Sequence, residues 1–193
     1  NILDFDNLTE ENIYVLDSPI LTNSQFKKFK KFFSKKIKVI DCTFDINNSL
    51  KDRIEAIREE AETAVREGST CIVLSDKNFS SEKASIPSIL TVGAVHSHLV
   101  KHGLRGYCSL NVECSDTMDT HSFAILIGVG ATTVNPYLAI DSIYQRFEKK
   151  LFGKSDFETC VSKFKKSIDA GLLKIMSKMG ISVISSYRGG CNF

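Results

Sequence analysis

The segment from Ile86 to Leu138 alternates helix and strand patterns with turns of only a few residues, and few folds accommodate that rhythm. After Ile86-Pro87 a helical pattern runs to about His102 and breaks at Gly103. A strand follows from Tyr107 to Glu113, then a helix over about Thr120 to Ile127 closed by Gly128. A short strand from Ala131 to Val134 ends in Asn135-Pro136. Such punctuation implies a mostly parallel sheet with helices packed on it.

The flanking stretches continue the pattern. Ile37 to Phe44 is β-rich, and Leu50 to Glu67 places Leu50, Ile54, Ile57, Ala61 and Val65 on one helical face behind the capping residue Ser49. Thr70 to Leu74 has no polar alternation, as expected of a parallel strand covered on both faces. Helical patterns cover Tyr137 to Leu151 and Ser155 to Met179. A strand is expected from Ile181 to Ser185, and a turn over Tyr187 to Gly190. Strands thus recur near residues 39, 72, 109, 132 and 183. The fold class is α/β, a mostly parallel sheet with alternating helices, arranged as an incomplete or degenerate (β/α) barrel or as an open doubly wound sheet. A chain of 193 residues suits one core, so residues 1–16 read as an arm, 17–190 as a single domain and 191–193 as a truncated tail.

A net charge of +2 asks for neither nucleic acid nor an anionic membrane. Lysines 27, 28, 30 and 31 are interleaved with phenylalanines 26, 29, 32 and 33, which describes an amphipathic helix with a solvated lysine face. Six cysteines sit mostly in apolar, strand-like runs, which favours buried free thiols and an intracellular, reducing compartment. No window reaches the ~20 apolar residues of a membrane span. The blunt ends, Asn1 without a leading methionine and Gly190-Cys191-Asn192-Phe193 without a cap, suggest a piece of a longer polypeptide.

Chemistry is sparse. His98 and His102, four apart on a helix, share a face, but His96 points elsewhere and neither a third ligand nor an HExxH pattern lies nearby, so no metal site is expected. No CxxC spacing supports a cluster. Gly128-Val129-Gly130 lies between helix and strand, the reverse of the order that cradles a phosphate, and reads as a tight turn. Ser75, Asp76 and Asn135 stand at strand C-terminal ends, where α/β folds gather ligands, and are weak rim candidates. Arg188 and its turn could hold an anion, although an interface is favoured.

Three landmarks then carry a resemblance: Leu16-Asp17-Ser18-Pro19-Ile20-Leu21, Ile86-Pro87-Ser88-Ile89-Leu90 with Val92 to His96, and Val134 to Ala139. The most specific piece is Gly171 to Ser182 followed by Ser186-Tyr187-Arg188-Gly189. In order and over about residues 16 to 190, these resemble the central domain of the glutamate synthase large subunit. One departure is Gly190-Cys191-Asn192-Phe193, where the family has an Ala-Gln-aromatic run.

The resemblance implies a piece of an oxidoreductase of glutamate biosynthesis, which makes two glutamates from glutamine and 2-oxoglutarate. In that family an amidotransferase domain releases ammonia into an internal tunnel, and a barrel carrying FMN and a 3Fe-4S cluster reduces the iminoglutarate. The central domain is the cofactor-free connector between them. Its implied partners are the amidotransferase and FMN-binding domains of the same polypeptide, and no catalytic, cofactor or metal residue carries over. Lys178, Met179, Tyr187, Arg188 and Gly189 become the candidate interdomain interface. The alternative is a free-standing α/β enzyme binding a phosphate ligand through Ser75, Asp76, Asn135 and Arg188.

Overall fold

A computed structural model describes residues 14–190. Four strands, β1 (Ile37–Asp41), β3 (Cys71–Ser75), β5 (Ser109–Glu113) and β6 (Thr133–Asn135), form a parallel sheet in that spatial order. A minor antiparallel pair, β2 (Thr43–Asp45) with β4 (Lys83–Ser85), stands apart. The expected first strand therefore ends at Asp41 and resumes as β2 after Cys42.

Helices α2 (Leu50–Arg66), α3 (Ser88–Lys101) and α4 (Thr120–Gly128) connect successive strands of the sheet, followed by α5 (Tyr137–Glu148), α6 (Phe157–Lys178) and α7 (Ile184–Tyr187). Because the strand order never reverses, right-handed crossovers put every connecting helix on one face. That is the progression of a barrel; a doubly wound sheet reverses direction and is covered on both sides. The hydrophobic core agrees. Ile40, Ile72, Leu74, Leu110, Val112 and Val134 share one cluster with Ile57 and Ala61 of α2, Val95 and Leu99 of α3, Phe123 and Ile127 of α4, and Leu172 and Met176 of α6.

The opposite face takes a different cover. In the register Val73 aligns with Asn111 and Thr133, and Ser75 with Glu113 and Asn135, so these residues project from the other side of the pleat. Helix α1 (Asn23–Phe32) lies there, its buried Phe26 and Phe29 packing with Leu21, Cys71 and Val73. The phenylalanine and lysine pattern thus covers the concave face of a partial barrel, with Lys27, Lys28 and Lys31 exposed. A capping box starts α1: Thr22 accepts from the Gln25 amide and Gln25 accepts from the Thr22 amide.

One expected element is corrected. Ile181 to Ser185 forms no strand; residues 184–187 make a single helical turn instead. The free edge of β6 is already occupied, since Val134 donates to Pro19 O and accepts from the Leu21 amide. Residues 1–13 of the expected arm and the tail 191–193 lie outside the described residues.

Candidate functional site

Strand C-terminal ends are where a sheet of this kind usually meets its ligand. Here that rim is closed by side chains of the chain itself. Glu113, only 4% exposed, accepts from Ser75 Oγ at 2.8 Å and pairs with Lys30 Nζ of α1 at 3.1 Å and Lys77 Nζ at 3.0 Å. Burial alone would push its carboxyl up, but the hydrogen bonds from Lys77 and Ser75 and the charge of Lys30 outweigh that and hold it below the usual range.

The rim candidates found in the sequence all make internal hydrogen bonds, Ser75 within this network and Asp76 and Asn135 beside it. Ser75 spends its hydroxyl on Glu113. Asp76 Oδ2 accepts from Ser85 Oγ, the Ser115 amide and Ser115 Oγ, while its buried Oδ1 has no hydrogen-bond partner among the described residues. Tyr137 Oη is likewise buried and unpaired, and burial together with the Asp76 charge pushes that phenol upward. Asn135 Nδ2 donates to Leu21 O and Asn23 Oδ1, tying the entry of α1 to β6. Below this layer Asn111 donates to Ile72 O and accepts from Thr133 Oγ1. Apart from Asp76 Oδ1 and Tyr137 Oη, these polar groups satisfy one another, as buried polar groups generally do.

Above the closed rim the surface turns apolar. Phe79 in the loop after β3, Ile89 and Leu90 in the first turn of α3, Met118 in the loop after β5 and Leu138 at the start of α5 are all exposed, by 37 to 51%. Each follows the C-terminal end of a strand, so they crown one end of the sheet.

The tail motif is divided by the fold. Tyr187 is buried in the core and donates to Ala124 O at 3.0 Å. Gly189, at φ 67°, lies against the His96 ring, as does Gly130 at φ 129°; a Cβ at either would meet ring atoms at 2.4 to 2.8 Å. Arg105 donates to His96 Nδ1 at 3.1 Å and to the carbonyls of Cys108 and Gly130. Burial, with the charges of Arg105 and Arg188, holds His96 below its ordinary value, so it is neutral at physiological pH. Lys178 and Met179 end α6 on the surface.

One constellation is invisible in the local sequence. Glu62 of α2 sits opposite the pair His98 and His102 on α3, with His98 Nε2 2.6 Å and His102 Nδ1 3.8 Å from Glu62 Oε2. Among the described residues the cysteines make no such grouping. Cys42, Cys71, Cys108 and Cys114 are buried free thiols and Cys160 is a half-exposed one. Among the described residues no helix is long and apolar enough to cross a membrane.

The architecture defines a class: a barrel-type α/β domain whose concave face is filled by its own helix. In agreement, the fold matches the barrel of DHODH from Eimeria tenella, with TM-score 0.52 at 14% identity, covering 81% of this chain and 38% of that one. The family model for the glutamate synthase central domain matches residues 1–193, and the chain belongs to that family. It is 49% identical over its whole length to the glutamate synthase [NADPH] large chain of Azospirillum brasilense. It is 41% identical over 90% of its length to that of Bacillus subtilis, and 39% over 98% to the ferredoxin-dependent enzyme of Pyropia yezoensis. The chain spans only 11 to 13% of each of these relatives.

Proposed function

We propose that this chain is the connecting domain of a glutamate synthase, a structural wall between a glutaminase domain and an FMN-binding barrel that carries no catalytic group. The observation that carries the reading is the match to the central domain along the entire chain, against so small a share of each relative. The rim supports it: the position a barrel enzyme would give to its ligand is filled by Glu113, Lys30, Lys77 and Asp76, and the ring of exposed apolar side chains above it suits a packed neighbour rather than water. Lys178, Met179, Arg188 and Gly189 form a second contact zone, for a neighbouring domain of the parent. FMN, the iron-sulfur cluster, glutamine and 2-oxoglutarate belong to the parent polypeptide. This domain contributes rigidity that keeps two sites in register and ammonia away from solvent.

The test uses the parent enzyme carrying Leu90→Glu with Met118→Glu, or Arg188→Glu. The expected result is glutamine hydrolysis outrunning 2-oxoglutarate consumption, with released ammonia appearing in solution. Unchanged coupling in both variants, or saturable stoichiometric quenching of FMN fluorescence by the isolated 193-residue chain, would overturn the assignment.

A further inference from the structure

Independently of the connector role, we propose that Glu62, His98 and His102 form a site for a divalent transition-metal ion of the zinc class, clipping α2 to α3. One oxygen of the carboxylate and one nitrogen of each imidazole all lie within 4.8 Å of one another. A tetrahedral ion with bonds of about 2.0–2.1 Å holds its ligand atoms about 3.3 Å apart. The His98–Glu62 contact at 2.6 Å must therefore open by about 0.7 Å and the wider separations, none beyond 4.8 Å, close by at most about 1.5 Å, which is within reach of side-chain torsions on fixed helices.

The surrounding contacts orient the ligands. Arg66 grips Glu62 Oε1 through Nε and Nη2, both at 2.8 Å, which turns Oε2 toward the histidines. His102 Nδ1 lies 2.8 Å from His98 O, and ligation through Nε2 keeps that contact as the outer hydrogen bond that fixes the ring. Spacing at i and i+4 puts both rings on one face of α3, with centroids 4.3 Å apart.

Two imidazoles and one carboxylate select a borderline ion such as Zn²⁺ or Co²⁺ over Mg²⁺ or Ca²⁺, which favour all-oxygen shells. Three protein ligands leave the fourth position to water. His102 is exposed, so the site is open to solution. Because the ligands come from two helices whose only covalent link runs through β3, bound metal would tighten the α2–α3 contact, stabilising the fold by mass action.

The experiment is a titration with Co²⁺ after chelator treatment, once circular dichroism shows the chain folded, followed by visible absorption and thermal melting. One equivalent should produce the d–d band of a four-coordinate nitrogen and oxygen site and raise Tm. His102→Ala and Glu62→Gln, both at accessible positions, should weaken binding about tenfold or more, while His121→Ala leaves it unchanged. The absence of a band, a band that survives His102→Ala, or a near-ultraviolet thiolate-to-cobalt transition marking cysteine ligation would each overturn the proposal.

Discussion

Lys30 of α1 reaches across the concave face of the sheet to Glu113 at the end of β5, 3.1 Å away, and so anchors the covering helix to the rim it closes. The lysine keeps about a third of its side chain in water while the carboxylate has almost none. Lys77 approaches the same oxygen from the other side at 3.0 Å, so the buried charge is compensated twice. A single buried carboxylate thereby holds together a strand, a loop and a helix that are distant in sequence.

The pH dependence of stability follows from that arrangement. Glu113 titrates below its usual range in the fold, so unfolding restores its ordinary value and binds protons. Its contribution is fully present above the unfolded-state value of about 4.3 and fades as pH falls through the lower folded value. Glu113→Gln should cost roughly 1–3 kcal/mol near neutrality. Melting curves of both proteins between neutral and strongly acidic pH should converge at the acid end. A gap that stays constant with pH would show that the charge is not what matters.

Helix α1 should contribute mainly through its aromatic face. Phe26 and Phe29 are 1% and 3% exposed and stack at 5.9 Å, filling the space above Cys71 and Val73. Phe26→Ala should lose about 3–5 kcal/mol by the transfer and cavity terms together. Amide exchange would then show α1 deprotected ahead of α2 and α3, because the second core is separate from the first. Uniform loss of protection across all helices would mean that the two cores unfold as one unit.

How far the sequence shows this structure depends on the length scale of the interaction. The parallel strand Cys71 to Leu74 is legible because an unbroken apolar run has few other uses, and Gly68 and Ser49 mark the ends of α2 locally. The strand expected at Ile181 to Ser185 fails because β-branched Ile181, Val183 and Ile184 favour extended backbone only where a sheet edge is free, and Pro19 to Leu21 holds that edge. Strand polarity alone puts Ser75, Asp76 and Asn135 at the C-terminal ends of their strands. Their partners Glu113, Ser115 and Leu21 lie 38, 39 and 114 residues away, so local sequence does not reveal their occupation. Glu62 is hidden in the same way, 36 residues before His98.

Thiol chemistry separates the cysteines. Burial pushes Cys42 up to about 12 and Cys71 up to about 11, and raises Cys108 and Cys114 as well, so little thiolate is available in the fold. Iodoacetamide at mildly alkaline pH, followed by peptide mass mapping, should modify Cys160 first among these five. Denaturant should bring the other four into reaction together. Early labelling of Cys114 in native conditions would mean that the loop after β5 opens readily.

Close approach of helices gives the last prediction. Gly171 of α6 lies against Thr120 at the start of α4, and a Cβ there would stand 2.4 Å from Thr120 Cγ2 and 2.8 Å from Oγ1. Both branches of the threonine face the glycine, so rotating χ1 exchanges one clash for another and the helices must separate. Gly171→Ala should therefore destabilise by about 1–3 kcal/mol, even though alanine at a mid-helix site ordinarily stabilises by roughly 0.5–1 kcal/mol. Thr120→Ala removes both branches, and the double variant should recover most of the loss, giving a coupling energy of about 1–2 kcal/mol in a double-mutant cycle. If Gly171→Ala alone proved neutral or stabilising, α6 would not be held against α4 at this point, and the route by which the chain leads from α6 into the buried Tyr187 would need another anchor.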